Sequence, residues 1–493
     1  MTPLNGAEFD AFAPATTMLT ALRQRDIGSA ELVELHLSRI NHHNPTLNAI
    51  VVPAEDPAAA ARSADAARAR GEVGMLLGLP ITLKESMNVR GLPTTVGVPD
   101  FVSYRASEDG AVAARTRSEG AVLLGKTNIP PLLADWQSAN PIYGQTVNPW
   151  DPRLTPGGST GGGAAALAAG LSPLEFGSDI GGSIRLPAAF CGVYGHKSSE
   201  TALPRSGQFP EPVLPNAAAV MGVQGPLARS ADDLALGLAV AAGPELGEDM
   251  AWRLVLPPPR AKRLRDLRVA VLPHVAWLPL SADVQQALTT VVRCLERAGA
   301  TVGMAQPESL GDVRDHHALY VSLMAAVTAT RLGAEERERR ARLQESRGDE
   351  FSAARACGLR ASVADWFGWH ARRERYRAAY RAFFRDWDVL LAPIVLRTAF
   401  PHHPTSWPRS EAEMTATLDV DGECIAYDLQ SVYPGLATLS GQPATAFPAG
   451  LSPSGLPIGL QAIGPYLEDH TPIFFAGLLA DEIGGFHRPP GYH

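Results

Sequence analysis

The sequence predicts an α/β protein built on a mixed sheet. Short apolar runs of strand length recur along the chain, and helical stretches separate several of them. The 493 residues are 45% hydrophobic and 19% charged, which is enough material for a large core.

Taken in chain order, Ser29 reads as the N-cap of a helix whose Val33, Leu37 and Ile40 share one face. Residues 57–71, rich in Ala and Arg, have strong helix propensity. Leu79 to Leu83 reads as a buried strand ending at Lys84, and 121–125, 267–273, 388–393 and 457–464 read as further strands. Prolines 257–259 mark a loop after the Gly-rich half. A charged helical segment covers about 333–386 and contains ADWFGWH, which brings Trp366, Phe367, Trp369 and His370 close together.

Charge and cysteine usage restrict the class. A net charge of −8 argues against nucleic acid or an anionic membrane as the main partner. The basic runs Arg260 to Arg265 and Arg372 to Arg377 are short and read as solvated faces. Cys191, Cys294, Cys357 and Cys424 lack metal spacing and read as buried thiols in a reducing compartment. MTPLNGAEFDAF has no basic stretch leading into an apolar run, and nowhere do about 18 apolar residues run together. The expectation is a cytoplasmic protein without signal peptide or membrane span.

Residues 155–170, TPGGSTGGGAAALAAG, raise the question of chemistry. A phosphate loop needs GxxxxGK[ST], which is absent, and the preceding NPWDPRLTP excludes the strand that a dinucleotide fingerprint requires. Gly157 to Gly161 matches GxSxG around Ser159, but a nucleophile elbow needs that same missing strand. Downstream, LEFGSDIGGSIRLPAAFCG offers a short strand entering a Gly-rich turn with Ser183 at its end. The amides of Ile180, Gly181, Gly182 and Ser183 are spaced to converge on one oxygen, as an oxyanion hole requires. A tight turn with a capping serine is an equal reading of that stretch. Lys84, at the end of an apolar strand, is a base in the making if burial leaves it neutral; by itself, a surface lysine just past a strand end is the reading that comes first.

Longer motifs bring Lys84, Ser159 and Ser183 together. The chain closely resembles the amidase signature family of serine hydrolases in GLPITLKESMNVRGLPTTVG (78–97), GKTNIP (125–130), NPIYGQTVNPWDPRLTPGGSTGGG (140–163), GSDIGGSIRLPAAFCGVYGHK (177–197) and GPLARSADDLAL (225–236), and the last strands lie in 440–465. The resemblance implies one domain over 1–493: a large mixed twisted β-sheet covered on both faces by helices. Its signature core spans about 78–236, and a helical insertion at about 310–386 forms part of the substrate pocket or a lid.

The resemblance also implies roles. Ser183 is the nucleophile and neutral Lys84 the base; Ser159, on a cis peptide bond to Gly158, bridges the two. The amides of Ile180 to Ser183 hold the oxyanion, Asp179 pairs with Arg185, and no metal or organic cofactor takes part. Trp136, Gln137 and Ser138 in ADWQSANPIY are placed near the acyl pocket, and Trp366, Trp369 and His370 form a wall over it or merely pack a helix. Thr160 and Gly163 stand where serines are common in the family, Ser198-Ser199 replaces Pro-Thr, and Glu85 and Asn88 stand where Asp is common. The implied activity is hydrolysis of small or aryl amides, with esterase or carbamate side activity, by a monomer or homodimer. An indoleacetamide-type hydrolase and the glutaminase subunit of a tRNA-dependent amidotransferase are the alternatives.

Overall fold

A computed structural model describes residues 9–214, 220–245, 247–408 and 410–492. Among them, eleven strands form one sheet, in the order Ile50–Pro53, Val122–Thr127, Pro80–Lys84, Leu174–Asp179, Val223–Ala228, Tyr194–Lys197, Ala444–Leu451, Pro457–Ile463, Val389–Pro393, Arg268–Val271 and Thr301–Met304. The sheet is mixed. Pro80–Lys84 runs parallel to both neighbours, whereas the strands from Leu174–Asp179 through Val389–Pro393 pair antiparallel. Each predicted strand is present, shifted by a residue or so at its ends. Tyr194–Lys197 and Val223–Ala228 carry His196, Lys197, Gln224 and Pro226, so they show no apolar run even though every residue is buried.

Helices cover both faces of the sheet. On one, Arg185–Cys191 presses so close that a Cβ on Gly459 would meet Ala189 Cβ at 2.5 Å. On the other, Pro226 meets Gly237 of Ala231–Ala241, and Phe447 packs edge-on against Phe475 of His470–Ile483, 6.1 Å between ring centroids. This is the mixed sheet with helices on both faces that the resemblance implies. Among the described residues, no helix is long and apolar enough to cross a membrane.

Local chemistry corrects several expectations. Ser29 does not cap its helix: it is the first residue of Ser29–Leu47, and its hydroxyl donates to Gly78 O at 2.8 Å. The capping acceptor is Asp65 from the next helix, which takes the amides of Ser29 and Ala30 at 2.7 and 2.9 Å. Arg373 is not solvated; it is buried, pairs with Glu200 and donates to Leu439 O at 2.6 Å. Cys191 and Cys294 are buried, but Cys357 and Cys424 are exposed; all four are free thiols.

Candidate active site

The apolar strand Pro80–Lys84 ends in a charge with nowhere to go. Lys84 is fully buried, and its Nζ lies 2.8 Å from Ser159 Oγ, 2.9 Å from Thr160 Oγ1 and 3.1 Å from Ser178 Oγ. Burial lowers the lysine from its ordinary range to about 7, although the charges of Asp179 and Glu175 pull the other way. Three hydroxyls thus surround an amine poised between its two protonation states.

Ser159 is delivered by a loop held from behind. The Gly158–Ser159 peptide is cis. Ser138 Oγ donates to Gly157 O and accepts from the Gly161 amide, both at 3.0 Å, so one side chain clasps both ends of the turn. The helix Gly161–Ala168 starts immediately afterwards, and the Thr160 amide donates to Ser183 O at 3.1 Å. That bond ties the first serine loop to the second.

The second loop leaves the strand Leu174–Asp179 and enters the helix Arg185–Cys191. Asp179 and Arg185 form a buried two-point pair, with Nη2–Oδ1 at 2.9 Å and Nε–Oδ2 at 3.0 Å. Burial pushes the Asp179 carboxyl up, but the Arg185 charge and its hydrogen bonds outweigh this and hold it at about 2. Asp179 also accepts from the amides of Gly182 and Ile184 at 2.9 and 3.1 Å, which folds the turn around itself. Of the four amides expected to hold an oxyanion, Gly182 is therefore committed to Asp179. Two carbonyls of the same turn are held from outside: Tyr320 Oη donates to Ile180 O at 2.9 Å, and Trp136 Nε1 donates to Gly181 O at 2.7 Å.

Comparison with known proteins gives the family. Residues 31–472 match the sequence profile of the family described as Amidase. The chain belongs to the amidase family. It is 33% identical to the indoleacetamide hydrolase of Bradyrhizobium diazoefficiens over 92% of this chain and 84% of that protein. It is 30% identical to the human fatty-acid amide hydrolase 2, over 95% of this chain and 88% of the relative. A bacterial aryl acylamidase of the amidase signature family superposes with a TM-score of 0.80 at 23% identity, covering 96% of each chain, a likeness of fold.

In this amidase, Ser159, Ser178 and Ser183 open on a cavity of about 470 Å³. Leu132, Leu133, Val321 and Met324 make much of its wall apolar, and Trp136 stands at its edge, T-shaped to Tyr427 at 5.4 Å. Trp136 thus lines this cavity. Gln137 and Ser138 do not: the cavity wall excludes them. Gln137 is buried behind Trp136, where its amide oxygen accepts from the His403 amide at 2.9 Å and its NH₂ reaches Thr405 Oγ1 at 3.1 Å; Ser138 is spent on the Gly157–Gly161 turn.

Trp366, Trp369 and His370 also stay off the cavity. Trp366 lies against His370 with the rings tilted by 58° and 4.6 Å between centroids, and both tryptophans pack the helix Val363–Phe383 onto the body. The helical segment reaches the cavity elsewhere, through Val321, Met324 and Thr328 of Arg314–Ala329 and Arg355 and Leu359 of Ser352–Leu359. Tyr320 and Tyr427, which no motif singled out, are the aromatic residues that organise the site. The one cue in the sequence is that Tyr320 stands in an apolar helical stretch, where a buried phenol needs an acceptor.

Proposed function

We propose that this amidase hydrolyses a carboxylic acid amide to acid and amine through an acyl-enzyme on Ser183. The observation that carries this is the 2.8 Å approach of Lys84 Nζ to Ser159 Oγ beside a cavity that also exposes Ser183. In its neutral form, Lys84 accepts the Ser159 hydroxyl proton as Ser159 accepts that of Ser183. The Ser183 Oγ–carbonyl carbon bond forms, and the negative charge moves to the carbonyl oxygen. We assign that oxygen to the amides of Ile180, Gly181 and Ser183, because Gly182 already donates to Asp179.

Collapse breaks the C–N bond, and the proton held by Lys84 passes through Ser159 to the leaving nitrogen. Water then attacks the ester by the same route, and the acid leaves with Ser183 restored. The chain's own side chains supply each proton acceptor and donor in this scheme, so no metal or organic cofactor is assigned a part.

The apolar wall and the Trp136–Tyr427 pair favour a small, aryl-bearing amide in the cavity, with ester or carbamate cleavage as a side activity. The same pair favours, as a second reading, an indoleacetamide-type substrate, the reaction named for the Bradyrhizobium relative. We take the chain as a single domain over 1–493, acting in the cytoplasm as a monomer or homodimer on a small molecule.

A hydrolysis panel tests this: free amides, anilides, indoleacetamide, carbamates, esters and glutamine, each with wild type and Ser183→Ala. Aryl amide turnover that vanishes in Ser183→Ala supports the proposal. Glutamine turnover alone, gained only with co-purifying subunits, replaces it with the amidotransferase reading.

A further inference from the structure

A second carboxyl lies beneath the candidate base, and the mechanism above does not use it. Parallel pairing sets Thr82 against Glu175 and Leu83 against Phe176, so Lys84 falls opposite Gly177, which has no side chain. With a side-chain period of two, Thr82, Lys84, Glu175, Gly177 and Asp179 project to one face. Lys84 therefore stands diagonally between two acids, Asp179 ahead and Glu175 behind.

The two acids are not equivalent. Asp179 is tied to Arg185 at both oxygens. Glu175 is fully buried, and among the described residues no arginine or backbone amide donates to its carboxyl; Thr127 Oγ1 donates to its Oε1 at 2.7 Å. Thr127 and Glu175 sit on the two strands flanking Pro80–Lys84, so their hydrogen bond spans the strand that carries the lysine.

The neighbouring helix makes room for this. A Cβ on Gly163 would fall 2.6 Å from both Cγ and Oε1 of Glu175. The glycine that stands at 163, in place of the family's common serine, is what the Glu175 side chain requires.

We propose that Glu175 is a positioning residue that acts through Lys84, its carboxyl stabilising the lysine's cationic form from beneath and thereby setting the pH at which the base becomes available. The proposal presupposes that Lys84 is the base. The other charges around the pair are few. Helix Gly161–Ala168 and strand Val223–Ala228 carry no ionisable side chain; Lys126, in register with Leu83, points to the opposite face, where it donates to Thr94 Oγ1 and the charge of Glu85 acts on it. That leaves two acids acting on Lys84: Asp179, which raises it even though paired with Arg185, and Glu175. Burial raises the Glu175 carboxyl to about 7, against the hydroxyls of Thr82 and Thr127 and the charge of Lys84, so acid and amine titrate in the same range as one coupled pair.

The test is the pH dependence of kcat/KM for an aryl amide, compared between wild type and Glu175→Gln. Removing the negative charge disfavours the ammonium, so the acid-side midpoint is expected to move to lower pH by about one unit. A midpoint that stays put or moves up overturns the proposal, whatever happens to the plateau rate, because a purely structural residue changes amplitude and not midpoint. If Glu175→Gln does not fold, Thr127→Val decides: losing that hydrogen bond favours the neutral acid and moves the midpoint in the same direction by less. A wild-type profile with no acid limb near neutrality overturns Lys84 as the base, which separates that failure from one of Glu175 alone.

Discussion

Asp179 and Arg185 meet in a two-point ion pair that no solvent reaches, and that pair builds the turn presenting Ser183. Arg185 spends its remaining donors on Pro434 O, Thr438 Oγ1 and Gln461 Oε1 at 2.8–3.0 Å, so it also ties the turn to the helix Val432–Ser440 and the strand Pro457–Ile463. Arg185→Met leaves a carboxylate buried without its partner, at a cost of about 3–5 kcal/mol. Urea unfolding is expected to show this as a lowered midpoint. In the wild type, the Asp179 carboxyl sits at about 2, below its ordinary 3.8, so the stability it contributes is present above about pH 4 and lost as pH falls toward 2. Unfolding followed between pH 5 and 2 is expected to show that loss, and Arg185→Met is expected to lack it.

Lys84 carries the sign of the pH–rate profile. Burial brings it to about 7, and only the neutral amine accepts a proton from Ser159. kcat/KM for an amide is therefore expected to fall tenfold per unit below that pH and to level off above it. A rate that stays flat down to pH 5 removes lysine from the role of base. Lys84→Met is expected to lower kcat by about 10²–10⁴-fold, the range for losing one general base.

The sequence made the strands that carry the chemistry legible because they are apolar runs ending in a polar residue, as Leu79 to Lys84 is. It hid Tyr194–Lys197, where burial of His196 and Lys197 is made tolerable by partners distant in the chain: Asp469 and Thr445 for the histidine, Gln442 O for the lysine. The same limit applies in the site. Lys84, Ser159 and Ser183 come together only through the long motifs that carry the family resemblance; taken singly, Lys84 and Ser183 each have a bland structural reading. The resemblance sets Gln137 and Ser138 beside Trp136 near the acyl pocket, yet these three consecutive residues in an irregular segment face three directions. Tyr320 and Tyr427 reach the site from helices more than 100 residues away, and nothing local in their neighbourhoods records it.

The two serines are separable by covalent labelling. Ser183→Ala is expected to abolish both turnover and labelling by an aryl fluorophosphonate. Ser159→Ala keeps the nucleophile and loses the proton path to Lys84, so slow residual labelling is expected at Ser183. Peptide mapping of the adduct by mass spectrometry reads this directly. An adduct at Ser159 that survives Ser183→Ala inverts the assignment.

Tyr320 is the sharpest test of how the Ser183 turn is held. Its ring is fully buried and its hydroxyl donates to Ile180 O at 2.9 Å, which turns the peptide so that the Gly181 N–H points the opposite way. If that N–H serves the oxyanion, the phenol acts on the transition state through the backbone rather than on bound substrate. Tyr320→Phe removes one hydrogen bond worth about 1 kcal/mol and keeps the ring in place. The expected outcome is a loss in kcat of about five- to tenfold with KM little changed, since the interaction strengthens as charge develops on the oxygen. Steady-state kinetics on one aryl amide measures both constants. A rise in KM at constant kcat would instead place the Tyr320 hydroxyl against the substrate, and the Gly181 amide would lose its support as an oxyanion donor.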